Sequence, residues 1–155
     1  MQLSKPDNFY DLFGVGGGTV GASFCCALEE ALGENSLSIL VIEAILPNAN
    51  SAKQSSFDAR STALSFGSRK FFEGIGLWQA LDDAVSAIHE IQVSDRGRLG
   101  SVEINRNEQN VEALGYVVEN KRLGQVLNSR LNESGKINFL CPALVSSVKA
   151  TEKGM

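Results

Sequence analysis

Tyr10-Asp11-Leu12-Phe13-Gly14-Val15-Gly16-Gly17-Gly18-Thr19-Val20-Gly21 is a short apolar run that empties into a glycine-rich turn. Ala22 to Leu32, rich in alanine and leucine, reads as the helix that follows, and Gly33 reads as the residue that ends it. Ser38-Ile39-Leu40-Val41-Ile42-Glu43 is then a nearly continuous apolar strand, the pattern of a strand buried on both faces of a parallel sheet. A right-handed β-α-β unit over about 10–43 is the arrangement this order predicts. Gly14 falls where a branched apolar residue is expected, and glycine inside a strand costs roughly 0.5–1 kcal/mol, so the first strand is expected to be weak there.

Gly16, Gly18 and Gly21 fit GxGxxG, and each spacing has a physical purpose. The first glycine makes the tight turn, the second lets a pyrophosphate approach the backbone, and the third lets helix and strand pack closely. Free N–H groups and the dipole at the helix start favour a diphosphate. Glu43 follows at the end of the second strand, about 20 residues on, where an acid takes both ribose hydroxyls and repels a 2′-phosphate. The plainer reading makes the glycines only a loop and Glu43 a solvated strand-end acid.

Outward from this unit, Pro47 to Ser56 is a loop by composition. Leu64, Phe71, Phe72 and Ile75 fall on one face of a predicted helix, and Leu77 to Leu81 reads as a further helical turn. Ile88 to Ser94 and Ser101 to Ile104 read as a hairpin around Asp95-Arg96-Gly97-Arg98-Leu99-Gly100. Tyr116 to Glu119 is a further strand. Asn120 is placed to cap a helix carrying Leu123, Val126, Leu127 and Leu131, which Gly135 stops. Ile137 to Cys141 and Leu144 to Ala150 read as two last strands.

Composition narrows the function classes. The 155 residues carry 14 basic and 18 acidic side chains, a net charge of −4 with no run of like charges, so no surface is marked for a nucleic acid. Three cysteines, Cys25, Cys26 and Cys141, have no CxxC spacing and indicate a reducing, cytoplasmic compartment. The longest apolar stretch, Leu37 to Leu46, is far short of the roughly 20 residues a transmembrane helix needs. His89 is the single histidine, so neither a metal site nor a hydrolytic triad is expected. Asp95 and Arg96 read as an ion pair in a hairpin turn in preference to a catalytic acid–base pair. Cys25 and Cys26 read as core.

Several stretches together are far more specific than the glycine turn: Phe57-Asp58-Ala59-Arg60-Ser61-Thr62-Ala63-Leu64, Gly76-Leu77-Trp78, Val93-Ser94-Asp95-Arg96-Gly97, and Ala113 to Glu119 running to Leu123-Gly124. With Gly16–Gly21 and Glu43 they resemble the amino-terminal part of the 2-octaprenyl-6-methoxyphenol hydroxylase family, ubiquinone-biosynthesis members of the FAD-dependent aromatic hydroxylases (the p-hydroxybenzoate hydroxylase group). The resemblance runs from about Tyr10 to about Lys149.

The resemblance implies an α/β fold in which a Rossmann-like FAD-binding βαβ unit is joined by additional antiparallel strands, an incomplete portion of a p-hydroxybenzoate hydroxylase-type fold. All of residues 1–155 would form one amino-terminal portion: the dinucleotide unit at about 10–43, a loop, helix and hairpin region at about 47–115, and a helix with final strands at about 116–150. Gly16, Gly18 and Gly21 would hold the FAD pyrophosphate, Glu43 the adenosine ribose, and Arg60 would lie beside the flavin end. Asn120 stands where many relatives carry an FAD-touching arginine, with Arg122 and Gln125 as substitutes, and Val145 would meet adenine through its backbone. No side chain in this stretch is implied as a nucleophile, because the cofactor carries the chemistry. The implied activity is hydroxylation of a polyprenylated phenol with NAD(P)H as reductant, alongside other ubiquinone-biosynthesis proteins and peripheral to the inner membrane. Two other readings stand beside it: an NAD-dependent oxidoreductase Rossmann domain, and a truncated, non-catalytic interaction fragment, the latter suggested by the family segments expected beyond Met155.

Overall fold

The computed structural model describes residues 9–33, 37–45, 60–97 and 99–150. The Pro47-to-Ser56 loop, Phe57-Asp58-Ala59 and Arg98 lie outside these described residues. The elements in chain order are β1 (Leu12–Val15), α1 (Thr19–Leu32), β2 (Ile39–Ile42), β3 (Ser61–Ser65), α2 (Phe66–Gly74), a 3-10 turn (Asp82–Ala84), β4 (Val85–Ile88), β5 (Glu90–Ser94), β6 (Ser101–Asn105), β7 (Gly115–Glu119), α3 (Asn120–Glu133) and β8 (Ile137–Leu140). They fall into two units, residues 1–58 with 127–155 and residues 59–126, so that α3 contributes its first half to the second unit and its remainder to the first.

In the first unit a wholly parallel sheet runs β1-β2-β8, with Leu12 opposite Ile39 and Ile39 opposite Ile137. β2 is central, and Ile39, Leu40 and Val41 are all buried, as its unbroken apolar run requires. Ala22, Cys25 and Cys26 are the buried face of α1. Gly14 lies within β1 and pairs in register with Val41, and a Cβ there would meet only ordinary contacts, 3.7 Å from Val41 Cγ2 and 3.9 Å from Cys25 Sγ. The end of α3 is tied to α1 by polar groups. Ser134 Oγ donates to Glu29 Oε1 at 2.6 Å, and Arg130 Nη2 lies 3.4 Å from Glu30 and 3.6 Å from Glu29.

In the second unit β7 is the centre of an antiparallel sheet, β3-β7-β4, with α2 beside it and β5–β6 as a separate hairpin. Leu64, Phe72, Trp78, Leu81, Tyr116 and Val118 are buried here. Arg69 is flanked by two rings, with its guanidinium carbon 5.6 Å from the Trp78 centroid and 5.4 Å from that of Tyr116. The same guanidinium pairs with Glu73 at 2.9 Å and Glu112 at 3.0 Å.

Four expectations are corrected. Leu64 lies on a strand, opposite Tyr116, and α2 begins only at Phe66, where the Ser65 hydroxyl caps it by accepting from Ser68 N at 3.1 Å. The helical spacing of Leu64 with Phe72 and Ile75 arises because strand and helix bury their apolar residues together. Leu77 to Leu81 forms turns and not a helix: Leu77 N and Trp78 N both donate back to Phe72 O, winding the chain tightly while Leu77, Trp78 and Leu81 are buried. Leu144 to Ala150 is irregular and forms no strand. Of its apolar residues only Val145 is half-buried, with Leu144 at 81% and Val148 at 57% exposure, and a strand needs a ladder partner as well as apolar residues. Ile88 to Ser94, read as one strand, divides at His89, so that Val85–Ile88 joins β7 and Glu90–Ser94 pairs with β6.

Candidate nucleotide site

β1 ends where Gly16 N donates to Ile42 O at 2.8 Å, and Gly16 itself takes φ = +101°, a left-handed conformation that favours glycine. Gly18 then stands at the N-cap of α1, where it offers no side chain of its own to the amides of the first turn. Gly21 packs against the turn so closely that a Cβ there would sit 2.0 Å from Gly16 O. These three glycines therefore make a bare-backbone turn leading into a helix start.

Glu43 is brought to this turn by its strand. Its amide donates to Leu140 O at 3.0 Å and its carbonyl accepts from Ala143 N at 2.8 Å, which fixes the backbone on both sides. The carboxylate is anchored as well: Oε2 accepts from Gly17 N and Oε1 from Ile45 N, each at 2.8 Å. Glu43 is thus a bound member of the turn and not a freely solvated acid. Cys141 lies nearby, its thiol donating to Ile45 O at 3.3 Å, and burial, with the Glu43 charge adding to it, pushes that thiol above its usual range. Gly17 is the participant the sequence reading missed. It occupies an unspecified position of GxGxxG, and its only signal was that it is the second of three consecutive glycines.

An adenosine diphosphate end without a 2′-phosphate would fit these groups: amides at a helix start for the phosphates, a glycine backbone with no side chain in the way, and an acid beside the turn for the ribose. Val145, in the same unit, is half-buried on the irregular segment after β8. Arg60 and Asn120 belong to the other unit and meet each other there. Asn120 N donates to Arg60 O at 2.9 Å, and the buried Asn120 side chain accepts from Thr62 Oγ1 at 2.5 Å, joining the start of α3 to β3. Arg122 reaches Ala80 O at 2.9 Å and Asp83 at 3.4 Å, and Gln125 is exposed. Asp95 and Arg96 sit in the exposed connection of the hairpin, and His89 is exposed between β4 and β5. Among the described residues no helix is long and apolar enough to cross a membrane, and no cluster of His, Cys, Asp and Glu is arranged to hold a metal ion.

No protein-family model matches the chain. Individual proteins do. Over 151 residues, 97% of the chain, it is 30% identical to the ubiquinone hydroxylase UbiL of Rhodospirillum rubrum, covering 34% of that protein. Over 128 residues it is 30% identical to the 3-demethoxyubiquinol 3-hydroxylase of Escherichia coli, covering 32% of it. In structure it superposes on PqsL, a probable FAD-dependent monooxygenase from Pseudomonas aeruginosa, with a TM-score of 0.67 at 19% identity, over 95% of this chain and 36% of that one. The chain therefore spans about a third of the length of the curated relatives it matches. Its α/β fold, a parallel β-α-β sheet with added antiparallel sheets, matches the amino-terminal part of FAD monooxygenase structures. Equal identity to two differently named hydroxylases leaves the individual member open, and the common ground is this: the chain is homologous to the ubiquinone-biosynthesis FAD monooxygenases, over a portion of their length.

Proposed function

We propose that the chain is the FAD-binding amino-terminal part of an aromatic-ring hydroxylase of ubiquinone biosynthesis, and that its glycine turn holds the ADP end of the cofactor. The observation that carries this reading is the convergence of Glu43 on the turn, its carboxylate bonded to Gly17 N at 2.8 Å beside the start of α1. The amides at the start of α1 bind the pyrophosphate, and Gly16, Gly18 and Gly21 keep side chains out of its way. The anchored Glu43 carboxylate takes ribose hydroxyls and rejects a 2′-phosphate. Arg60 supplies positive charge towards the flavin end, with Asn120 and the Val145 backbone as further contacts. Bound FAD supplies the redox chemistry, taking electrons from NAD(P)H and activating oxygen for insertion into a phenol ring with a polyprenyl tail. Such a substrate places the protein peripherally at a membrane in the company of other ubiquinone-biosynthesis proteins. The same turn would serve NAD, but the antiparallel sheet and hairpin that follow β2 favour the monooxygenase reading over an all-parallel dehydrogenase domain.

Calorimetric titration of the 155-residue chain with ADP and with 2′-phospho-ADP tests the cofactor assignment. ADP is expected to bind roughly tenfold or more tightly, since like charges at contact distance cost several kcal/mol at a protein surface. Equal or tighter binding of the phosphorylated ligand refutes the role of Glu43.

A further inference from the structure

We infer that Gly17 and Phe139 are positioning residues that hold the Glu43 carboxylate against the turn and so set which ribose the site accepts, an inference that rests on the nucleotide reading above. GxGxxG leaves the position after its first glycine open to any residue. Here it is closed. A Cβ on residue 17 would stand 2.7 Å from Phe139 Cε2, 3.1 Å from Phe139 Cζ and 3.1 Å from Glu43 Cβ.

The arrangement follows from strand register. Phe139 on β8 is paired with Val41 on β2, two residues before Glu43, so ring and acid come to the turn from adjacent strands. Gly17 lies under both, buried, and its amide reaches Glu43 Oε2 at 2.8 Å. A glutamate side chain at a strand end has several rotatable bonds and is free to swing into water. Two amides, Gly17 N and Ile45 N, hold this one, each at 2.8 Å, and the first of them belongs to the residue packed against the ring. A methyl group at 17 forces the turn or the ring away. The amide then leaves the carboxylate, and the acid no longer stands at a fixed place to distinguish a hydroxyl from a phosphate.

The test compares dissociation constants for ADP and 2′-phospho-ADP in the wild-type chain, Gly17→Ala, and Gly17→Ala combined with Phe139→Leu. Leucine ends short of the ring atoms Cε2 and Cζ that the new methyl group meets, so the double variant restores the space. The preference for ADP is expected to fall roughly tenfold in Gly17→Ala and to return to within about threefold of wild type in the double variant. A wild-type preference retained in Gly17→Ala overturns the inference while leaving the nucleotide reading intact, and a loss that Phe139→Leu does not reverse overturns the part given to Phe139. Failure of the wild-type chain to bind ADP removes the nucleotide reading and this inference with it. A second measurement leaves Gly17 and Phe139 unchanged: the Gly17 amide proton, located by NMR, is expected to shift upfield in Glu43→Gln, where the bond to a charged oxygen gives way to one to a neutral amide. A Gly17 resonance that ignores Glu43 overturns the inference.

Discussion

A Cβ on Gly21 would stand 2.0 Å from the carbonyl oxygen of Gly16, so the first turn of α1 rests directly on the turn that precedes it, backbone against backbone. Neither partner is a flexible side chain that moves aside. Gly21→Ala is therefore expected to open the turn, lowering stability by about 2–3 kcal/mol, in the upper range for overpacked sites, and abolishing ADP binding. Gly74→Ala is the control, because nothing lies within 4 Å of a Cβ at the end of α2 and alanine is the better helix former there. Urea unfolding of both variants checks the contrast. Equal stability in the two would show that the turn relaxes without loss.

The second unit carries its own reporter. Trp78 is the single tryptophan of the chain, and it packs edge-on to Tyr116 at 4.9 Å between centroids, beside the Arg69 guanidinium. Arg69→Met retains the apolar stem but removes the planar charge that lies beside both rings and pairs with the two carboxylates. A loss of about 1–2 kcal/mol is expected, the range of a partly desolvated cation–π contact. Arg69→Lys should recover only part of it, since an ammonium cannot stack or fork. Unfolding followed by Trp78 fluorescence measures this directly, and an unchanged midpoint in Arg69→Met would mean that the rings and carboxylates contribute nothing net.

Cys26 makes stability depend on alkaline pH. Burial pushes its thiol up to about 11 from the ordinary 9.0, with nearby Arg130 opposing the shift and Cys25 and Glu29 reinforcing it. A folded value above the unfolded one means that the fold favours the neutral thiol. That contribution is fully present below about pH 9 and is lost as pH rises through 11. The melting temperature of the wild-type chain is expected to fall more steeply between pH 9 and 11 than that of Cys26→Ala, in which this group is absent. Parallel curves would show that the thiol is not held neutral by the fold.

Much of the first unit is legible in local sequence because its determinants are local. The unbroken apolar run of β2, the alanine- and leucine-rich face of α1 and the glycines between β1 and α1 each act within a few residues of themselves. Parallel pairing of β1 with β2 follows from their connection through a helix. The second unit was read less well. Leu64 has a helical spacing to Phe72 and Ile75, yet lies on a strand, because residues on different elements share one core and share a spacing by coincidence. At the other end, Leu144 to Ala150 reads as a strand but pairs with no strand among the described residues, because a ladder is made by two segments and composition describes one.

The sequence by itself determined the β-α-β order, the left-handed turn at Gly16 and the acid at the end of β2, since each depends on residue type and spacing along one stretch of chain. Tertiary structure alone decided what those residues do to one another. Register between β2 and β8 sets Phe139 beside Val41 and brings its ring, with Glu43, onto Gly17, closing a position that the motif leaves open. In the second unit the pairing of β3 with β7 likewise brings Asn120 to Thr62 and to the backbone of Arg60, joining residues far apart in sequence in one small polar cluster. Spacing along a chain cannot encode such contacts, because they depend on how strands from distant segments align, and that alignment is settled only when the apolar faces on both are buried together.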